Sequence, residues 1–156
     1  MATWPRLSPR CEGLALRDVL DSNVWVSGLI RPQGPPGRVL AALRSGAIEA
    51  VASWDLAEEI AEVLRRPKLA RYGLSEEDVR EALVLLAPLL PSVDVEVAVR
   101  DPDDAPVVAS ALAGGVEAIV TGDAHLLDDP DLRAWLEERG IDVISPADLL
   151  TILASR

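Results

Sequence analysis

The sequence predicts an α/β protein, specifically a three-layer α/β/α sandwich with a central five-stranded parallel sheet. Apolar runs of strand length alternate along the chain with longer stretches whose apolar residues recur at helical spacing. Strands that are separated by helices pair in parallel through right-handed crossovers, which place the helices against the faces of the sheet. Of the 156 residues 49% are hydrophobic, so one domain with a core of its own is expected.

The predicted elements follow an N-terminal extension. Residues 1–13 contain prolines and charged residues, and we expect a flexible extension there, before a folded domain over 14–156. Strands are predicted over 14–20, 47–52, 93–99, 117–121 and 141–144. Helices are predicted over 23–30, 36–44, 75–86, 103–113, 131–139 and 146–153, and one more is capped by Ser53 and ended by Pro67.

Composition and charge limit the class of protein. The single cysteine, Cys11, excludes an intramolecular disulfide and a cysteine-rich zinc site, and this suits a cytoplasmic protein. No apolar run approaches the roughly 20 residues that a membrane helix needs, so no membrane association is expected. The formal net charge of −11 argues against a passive nucleic-acid-binding module. It is compatible with a basic partner, or with carboxylates that bind cations.

Two aspartates are expected at the carboxyl edge of the sheet, where open parallel sheets bind their ligands. Asp21 directly follows the first predicted strand, and Asp123 ends another apolar run after a glycine. Asp21 has a purely structural alternative, which is to cap the next helix. Because Ser22 and Asn23 are also suitable capping residues, we favour a functional role for Asp21.

Helical position distinguishes Glu59 from its acidic neighbours. It lies three residues after Leu56 and four before Val63, so it flanks the apolar stripe of its helix. Glu58 and Glu62 are expected to point the other way. A carboxylate beside a core stripe needs a compensating partner, and the alternatives are a boundary salt bridge and a metal site.

Asp104 is selected from an acidic run by the same reasoning. Val107 and Val108 follow it at three and four residues, so it projects from the helix face that packs on the sheet. Asp101 and Asp103 are explained by their favourable interaction with the helix dipole.

Together Asp21, Glu59, Asp104 and Asp123 predict a metal site. If they converge, their mutual repulsion is relieved by a bound Mg²⁺ or Mn²⁺, ions that prefer oxygen ligands. His125 is the only histidine, whereas catalytic zinc sites usually have two or three.

Six short motifs, taken in order, resemble a known family. They are VLDSNV at 19–24, GPPGRVL at 34–40, EIAEVLRRPK at 59–68, RDPDD at 100–104, VTGD at 120–123 and ISPADLL at 144–150. Over about residues 15–153 the chain resembles PIN-domain proteins, specifically the toxin branch related to virulence-associated protein C. The resemblance implies a metal-dependent endoribonuclease that uses Mg²⁺ or Mn²⁺ and is the toxin of a toxin–antitoxin pair.

The resemblance also assigns residues and partners. The catalytic and metal-binding carboxylates of the family fall on the four positions selected above, with Ser22 and Asn23 in supporting positions. Ala105 departs from the pattern, since this branch often has asparagine there. The implied partners are an RNA substrate, a basic antitoxin that blocks the acidic groove, and a second copy in a homodimer. The basic residues that we expect near the RNA backbone are Arg31, Arg38, Arg65, Arg66 and Lys68.

Two other functions remain open at this stage. One is a catalytically silent PIN-type binding module that acts through protein or RNA partners. The other is a phospho-acceptor receiver or a phosphatase of similar α/β layout, with Asp21 as its nucleophile. Haloacid-dehalogenase-type phosphatases have a second aspartate two residues after the first, and Asn23 occupies that position here, which disfavours them.

Overall fold

The computed structural model describes residues 15–86, 89–90 and 102–156. The extension predicted over 1–13, the strand predicted over 93–99 and Asp101 therefore lie outside the described residues. Within the described ranges no helix is long and apolar enough to cross a membrane.

The described part of the sheet has four strands, all paired in parallel in the order β2-β1-β3-β4. The strands are β1 Leu16–Leu20, β2 Ile48–Ala50, β3 Ala118–Val120 and β4 Asp142–Ile144. The α/β class and the parallel sheet flanked by helices are confirmed, with four of the five predicted strands in the described residues. The register pairs Leu20 of β1 with Val120 of β3, so these two neighbouring strands end side by side.

Eight α-helices and two short 3₁₀ helices surround this part of the sheet. The first four helices are α1 Ser22–Ile30, α2 Pro35–Ser45, α3 Trp54–Leu64 and α4 Glu76–Leu85. The other four are α5 Ala105–Gly114, α6 Ala124–Leu127, α7 Pro130–Glu137 and α8 Pro146–Ala154. The 3₁₀ helices span Pro67–Tyr72 and Pro102–Asp104.

Local sequence explains where several helices begin. The Ser53 hydroxyl accepts a hydrogen bond from the Leu56 amide at the start of α3, as predicted. Ser75 and Asp78 form a reciprocal capping box at the start of α4. The predicted helix over 103–113 instead begins as a 3₁₀ turn and becomes α5 at Ala105.

The core is almost entirely aliphatic and includes the two central strands. Val19, Leu20, Ile119 and Val120 have no solvent exposure. These strand residues are rigidly packed, which fixes the position of the segments that follow them at the carboxyl edge of the sheet. The functional residues described next lie on those segments and on the adjoining helices.

Candidate active site

One cavity of about 740 Å³ contains all four carboxylates selected from the sequence. Asp21 joins β1 to α1, and Asp123 lies three residues beyond the end of β3. Glu59 reaches the cavity from α3, and Asp104 reaches it from the start of α5. Four separate elements therefore bring carboxylates to one place at the carboxyl edge of the sheet.

Asp21 is the most buried of the four, with 6% of its surface exposed. Its Oδ1 accepts a hydrogen bond of 2.7 Å from the Ser22 amide, which makes Asp21 the N-cap of α1. The structural alternative for Asp21, to cap the next helix, is therefore present, although Ser22 and Asn23 are also suitable capping residues. Since α1 begins directly after Asp21, both of those residues are already helical, and the carboxylate caps the helix while also lining the cavity.

Thr121 and Asn23 hold the other oxygen of the Asp21 carboxylate. Asp21 Oδ2 accepts hydrogen bonds of 2.9 Å from Thr121 Oγ1 and of 2.9 Å from Asn23 Nδ2. Thr121 Oγ1 in turn accepts a hydrogen bond of 3.0 Å from the Asp123 amide. The Gly122 amide donates to Asn23 Oδ1 at 3.0 Å. This network ties the end of β1 to the segment after β3, so the positions of Asp21 and Asp123 depend on each other.

Thr121 was not predicted as a site residue, since the sequence places it only at the end of the strand predicted over 117–121. It is completely buried, and its hydroxyl contacts Asp21 at a separation of 100 residues along the chain. The signal that was available is a hydroxyl residue at the end of an apolar strand, two residues before an aspartate.

The environment of Asp21 opposes its ionised form. Burial is the largest influence and raises the pKa of the carboxyl, whereas the hydrogen bonds from Thr121 and Ser22 lower it. The negative charge of Asp123 raises the Asp21 pKa further, and the Asn23 hydrogen bond lowers it. Asp21 and Asp123 are therefore close enough to repel each other, and a cation beside them would relieve that repulsion.

The α3 side of the cavity is more acidic than the sequence analysis indicated. Glu59 is half-buried and Glu58 and Glu62 are exposed, but all three line the cavity together with Asp55. The exposure of Glu58 and Glu62 agrees with the expectation that they point away from the apolar stripe of α3, although both also border the cavity. The cavity is a broad groove along α3, so its wall includes residues on either side of the half-buried position.

The donor atoms fit Mg²⁺ or Mn²⁺ in their chemistry, since the selected side chains offer only carboxylate oxygens. Among the described residues, no group of three or more Asp, Glu, His or Cys side chains is arranged to hold a metal ion. Mg²⁺ in proteins is usually held by one or two carboxylates and completes its shell with water, so this arrangement is compatible with such an ion. Asp21 and Asp123 are the pair whose proximity is independently supported by hydrogen bonds and by electrostatics.

The five basic candidates do not lie together. Arg66 and Lys68 line the cavity, whereas Arg31 and Arg38 are exposed and absent from the described lining. The Arg65 guanidinium is bound by Glu76, with a distance of 2.6 Å between Nη2 and Oε1. Arg66 Nη2 lies 3.9 Å from Glu62 Oε1.

Two features define the class of this protein. They are a parallel sheet flanked by helices and a cavity at the carboxyl edge of that sheet that is lined by carboxylates. The family model described as "PIN domain" matches residues 17–125, a stretch that contains all four carboxylates. The chain belongs to the PIN-domain family, whose members are generally metal-dependent nucleases. The chain is also 28% identical to an uncharacterized protein of Methanocaldococcus jannaschii over 141 residues, which cover 88% of this chain and 90% of that protein. No solved structure gave a significant match.

Proposed function

We propose that this protein is an endoribonuclease that hydrolyses RNA phosphodiester bonds with the help of Mg²⁺ or Mn²⁺. The observation that supports this proposal most strongly is the meeting of Asp21, Glu59, Asp104 and Asp123 in one cavity within the PIN-matched region. We assign these four as the catalytic and metal-binding residues, with Ser22 and Asn23 in support. The bound ion would neutralise charge on the phosphoryl oxygens and lower the pKa of a water beside it.

The side chains of the site have separate tasks in this proposal. Asp21 presents an oriented carboxylate, because Thr121 and Asn23 hold Oδ2 and the Ser22 amide holds Oδ1. Fixing these groups before substrate arrives reduces the reorganisation needed during reaction. The wide, open groove gives a flexible RNA strand access to carboxylates that a compact ligand pocket would enclose.

We further propose that the protein is the toxin of a toxin–antitoxin pair, acts in the cytoplasm and forms a homodimer. The support is the motif resemblance to the virulence-associated protein C branch, together with a net charge of −11 that suits a basic antitoxin. Growth arrest on expression, relieved by a small basic protein encoded beside it, is the expected behaviour. Continued growth at high expression of folded protein would contradict the toxin role.

Cleavage of a mixed RNA pool with Mn²⁺ tests the nuclease proposal. We expect wild-type protein to cut RNA and Asp21→Asn to lose about a hundredfold or more of that activity. Asp142→Asn is a matched control, because Asp142 is exposed on β4 and does not line the cavity. Equal cleavage by wild type and Asp21→Asn would overturn the assignment, since the activity would then come from elsewhere or from a contaminant.

A catalytically silent PIN-type binding module is the second candidate. The observation that favours it is the lack of a three-residue metal group among the described side chains. Folded wild-type protein that binds RNA but cuts no RNA with either metal would support this module and contradict the nuclease proposal.

A further inference from the structure

We propose that Arg66 and Lys68 form a subsite that binds backbone phosphates of single-stranded RNA at a distance from the bond being cut. This inference rests on the proposed nuclease function. It reduces the five basic residues that were expected near the RNA backbone to two. Its starting point is the shape of the acidic cavity, whose lining continues beyond the carboxylates to these two side chains.

The subsite lies further along the same groove as Glu59. Glu59 and Val63 lie four residues apart on one side of α3, whereas Arg66 lies beyond the end of that helix at Leu64 and has an extended backbone, and all three line the groove. The five residues of helix from Glu59 to Leu64 rise by about 7.5 Å, and Arg66 lies beyond that point. A phosphate at Arg66 is therefore well separated from one at the carboxylates, and both lie on a single continuous surface.

Arg66 is available to a phosphate in a way that Arg65 is not. Arg65 donates from Nε and Nη2 to the Glu76 carboxylate, with a shortest distance of 2.6 Å. The contact of Arg66 with Glu62 is 3.9 Å long, and both side chains are largely exposed. Exposed pairs of this kind contribute little and are easily exchanged for another anion, and a planar guanidinium can bind a phosphate through two hydrogen bonds.

The charge of the cavity explains why such a subsite is needed. Asp55, Glu58 and Glu62 add three negative charges to the four carboxylates of the site, and all of them repel RNA. Arg66 and Lys68 are the two cationic side chains in the described lining. A polyanion is therefore held most favourably if one segment lies at the cation-bound carboxylates and another lies at Arg66 and Lys68.

The test compares two double variants that remove the same charge. One is Arg66→Ala with Lys68→Ala. The control is Arg44→Ala with Arg80→Ala, two exposed arginines that pair with surface glutamates outside the cavity lining. Urea unfolding establishes that both variants are folded before RNA is added.

With a labelled single-stranded RNA, fluorescence anisotropy measures binding and a time course with Mn²⁺ measures cleavage. We expect the Arg66/Lys68 variant to bind about tenfold or more weakly than the control and to raise KM by a similar factor, with kcat changed less than about twofold. The slope of log affinity against log salt should fall by about 1.4, that is about 0.7 for each lost phosphate contact. Equal binding and equal salt slopes for the two double variants would overturn the inference.

The outcomes separate this inference from the function on which it rests. RNA binding that depends on Arg66 and Lys68, without any cleavage by wild type, would contradict the nuclease proposal and support the subsite. Cleavage that depends on Asp21, with equal RNA binding by the Arg66/Lys68 variant and the control variant, would support the nuclease proposal and contradict the subsite. Wild-type protein that neither binds nor cuts RNA would overturn both.

Discussion

Asp18 lies inside the sheet. Replacing its carboxyl group by an uncharged amide in Asp18→Asn should make the stability of the protein much less sensitive to pH. Asp18 occupies the middle of β1, paired with Ala50 on one side and Ala118 on the other, and only 1% of its surface is exposed. Within the described ranges its Oδ2 has no hydrogen-bond partner. The pKa of Asp18 is raised to about 8, mainly by burial and also by the negative charge of Glu117, and Arg156 opposes this shift.

The magnitude follows from the two pKa values of this carboxyl, 3.8 in its ordinary state and about 8 in the fold. Below about pH 4 Asp18 is protonated in both states and does not alter the free energy of unfolding. Between about pH 4 and pH 8 only the unfolded chain ionises, so stability falls by up to about 1.4 kcal/mol per pH unit. Above about pH 8 the loss is constant, with an upper limit of about 6 kcal/mol over the whole range.

The assay is urea unfolding of wild type and Asp18→Asn from pH 4 to pH 9, without metal. The variant cannot ionise, so we expect it to equal wild type near pH 4 and to exceed it by several kcal/mol at pH 8. Asp142→Asn is the matched control, because Asp142 lies in the same register row of the sheet but is exposed on β4. Parallel profiles for wild type and Asp18→Asn between pH 4 and pH 8 would refute the reasoning.

Two further predictions concern the network at the site and the packing of α2. Thr121→Val removes the hydroxyl that joins Asp21 Oδ2 to the Asp123 amide. The affinity for Mn²⁺, measured by electron paramagnetic resonance, should therefore fall about tenfold. Thr121→Ser keeps the hydroxyl and should restore the affinity. Unchanged affinity in the valine variant would show that the network does not position the ligands. Gly37→Ala should destabilise the fold by about 1–3 kcal/mol in urea unfolding, because its Cβ would overlap the Pro32 carbonyl, which is backbone and cannot move aside easily. If Gly37→Ala has the same free energy of unfolding as wild type, the close contact between α2 and Pro32 relaxes without destabilising the fold, and the prediction is wrong.

Those parts of the fold that depend on local sequence were predicted well. The central strand β3 was found because it is a short, continuous apolar run, and β1 was found although Arg17 and Asp18 interrupt its apolar residues. The helices α3 and α4 were found from the serine that precedes each of them. Two elements were missed for a local reason. The helix α6 has four residues, too few to show a helical period. The 3₁₀ helix Pro67–Tyr72 begins at the proline that was expected only to end the preceding helix.

Part of the site could be predicted from the sequence, because the ends of strands and the faces of helices determine the direction in which side chains project. Helical position and strand ends selected four carboxylates that line one cavity, and they distinguished the half-buried Glu59 from the exposed Glu58 and Glu62 of the same lining. They could not indicate the role of Thr121, since the contact with Asp21 joins residues 100 positions apart. Nor could they show that the exposed Glu58 and Glu62 also line the cavity, because the width of the groove depends on how α1 and α3 pack and is not encoded in either helix alone.

Titration calorimetry with Mn²⁺ tests most directly the central claim that these carboxylates form a divalent metal site. It requires no knowledge of the RNA target and should be done on wild type, Asp21→Asn and the Asp142→Asn control near neutral pH. We expect saturable binding to wild type and to the control, and an affinity at least about tenfold lower for Asp21→Asn. No binding to wild type, or equal binding to wild type and Asp21→Asn, would contradict the claim.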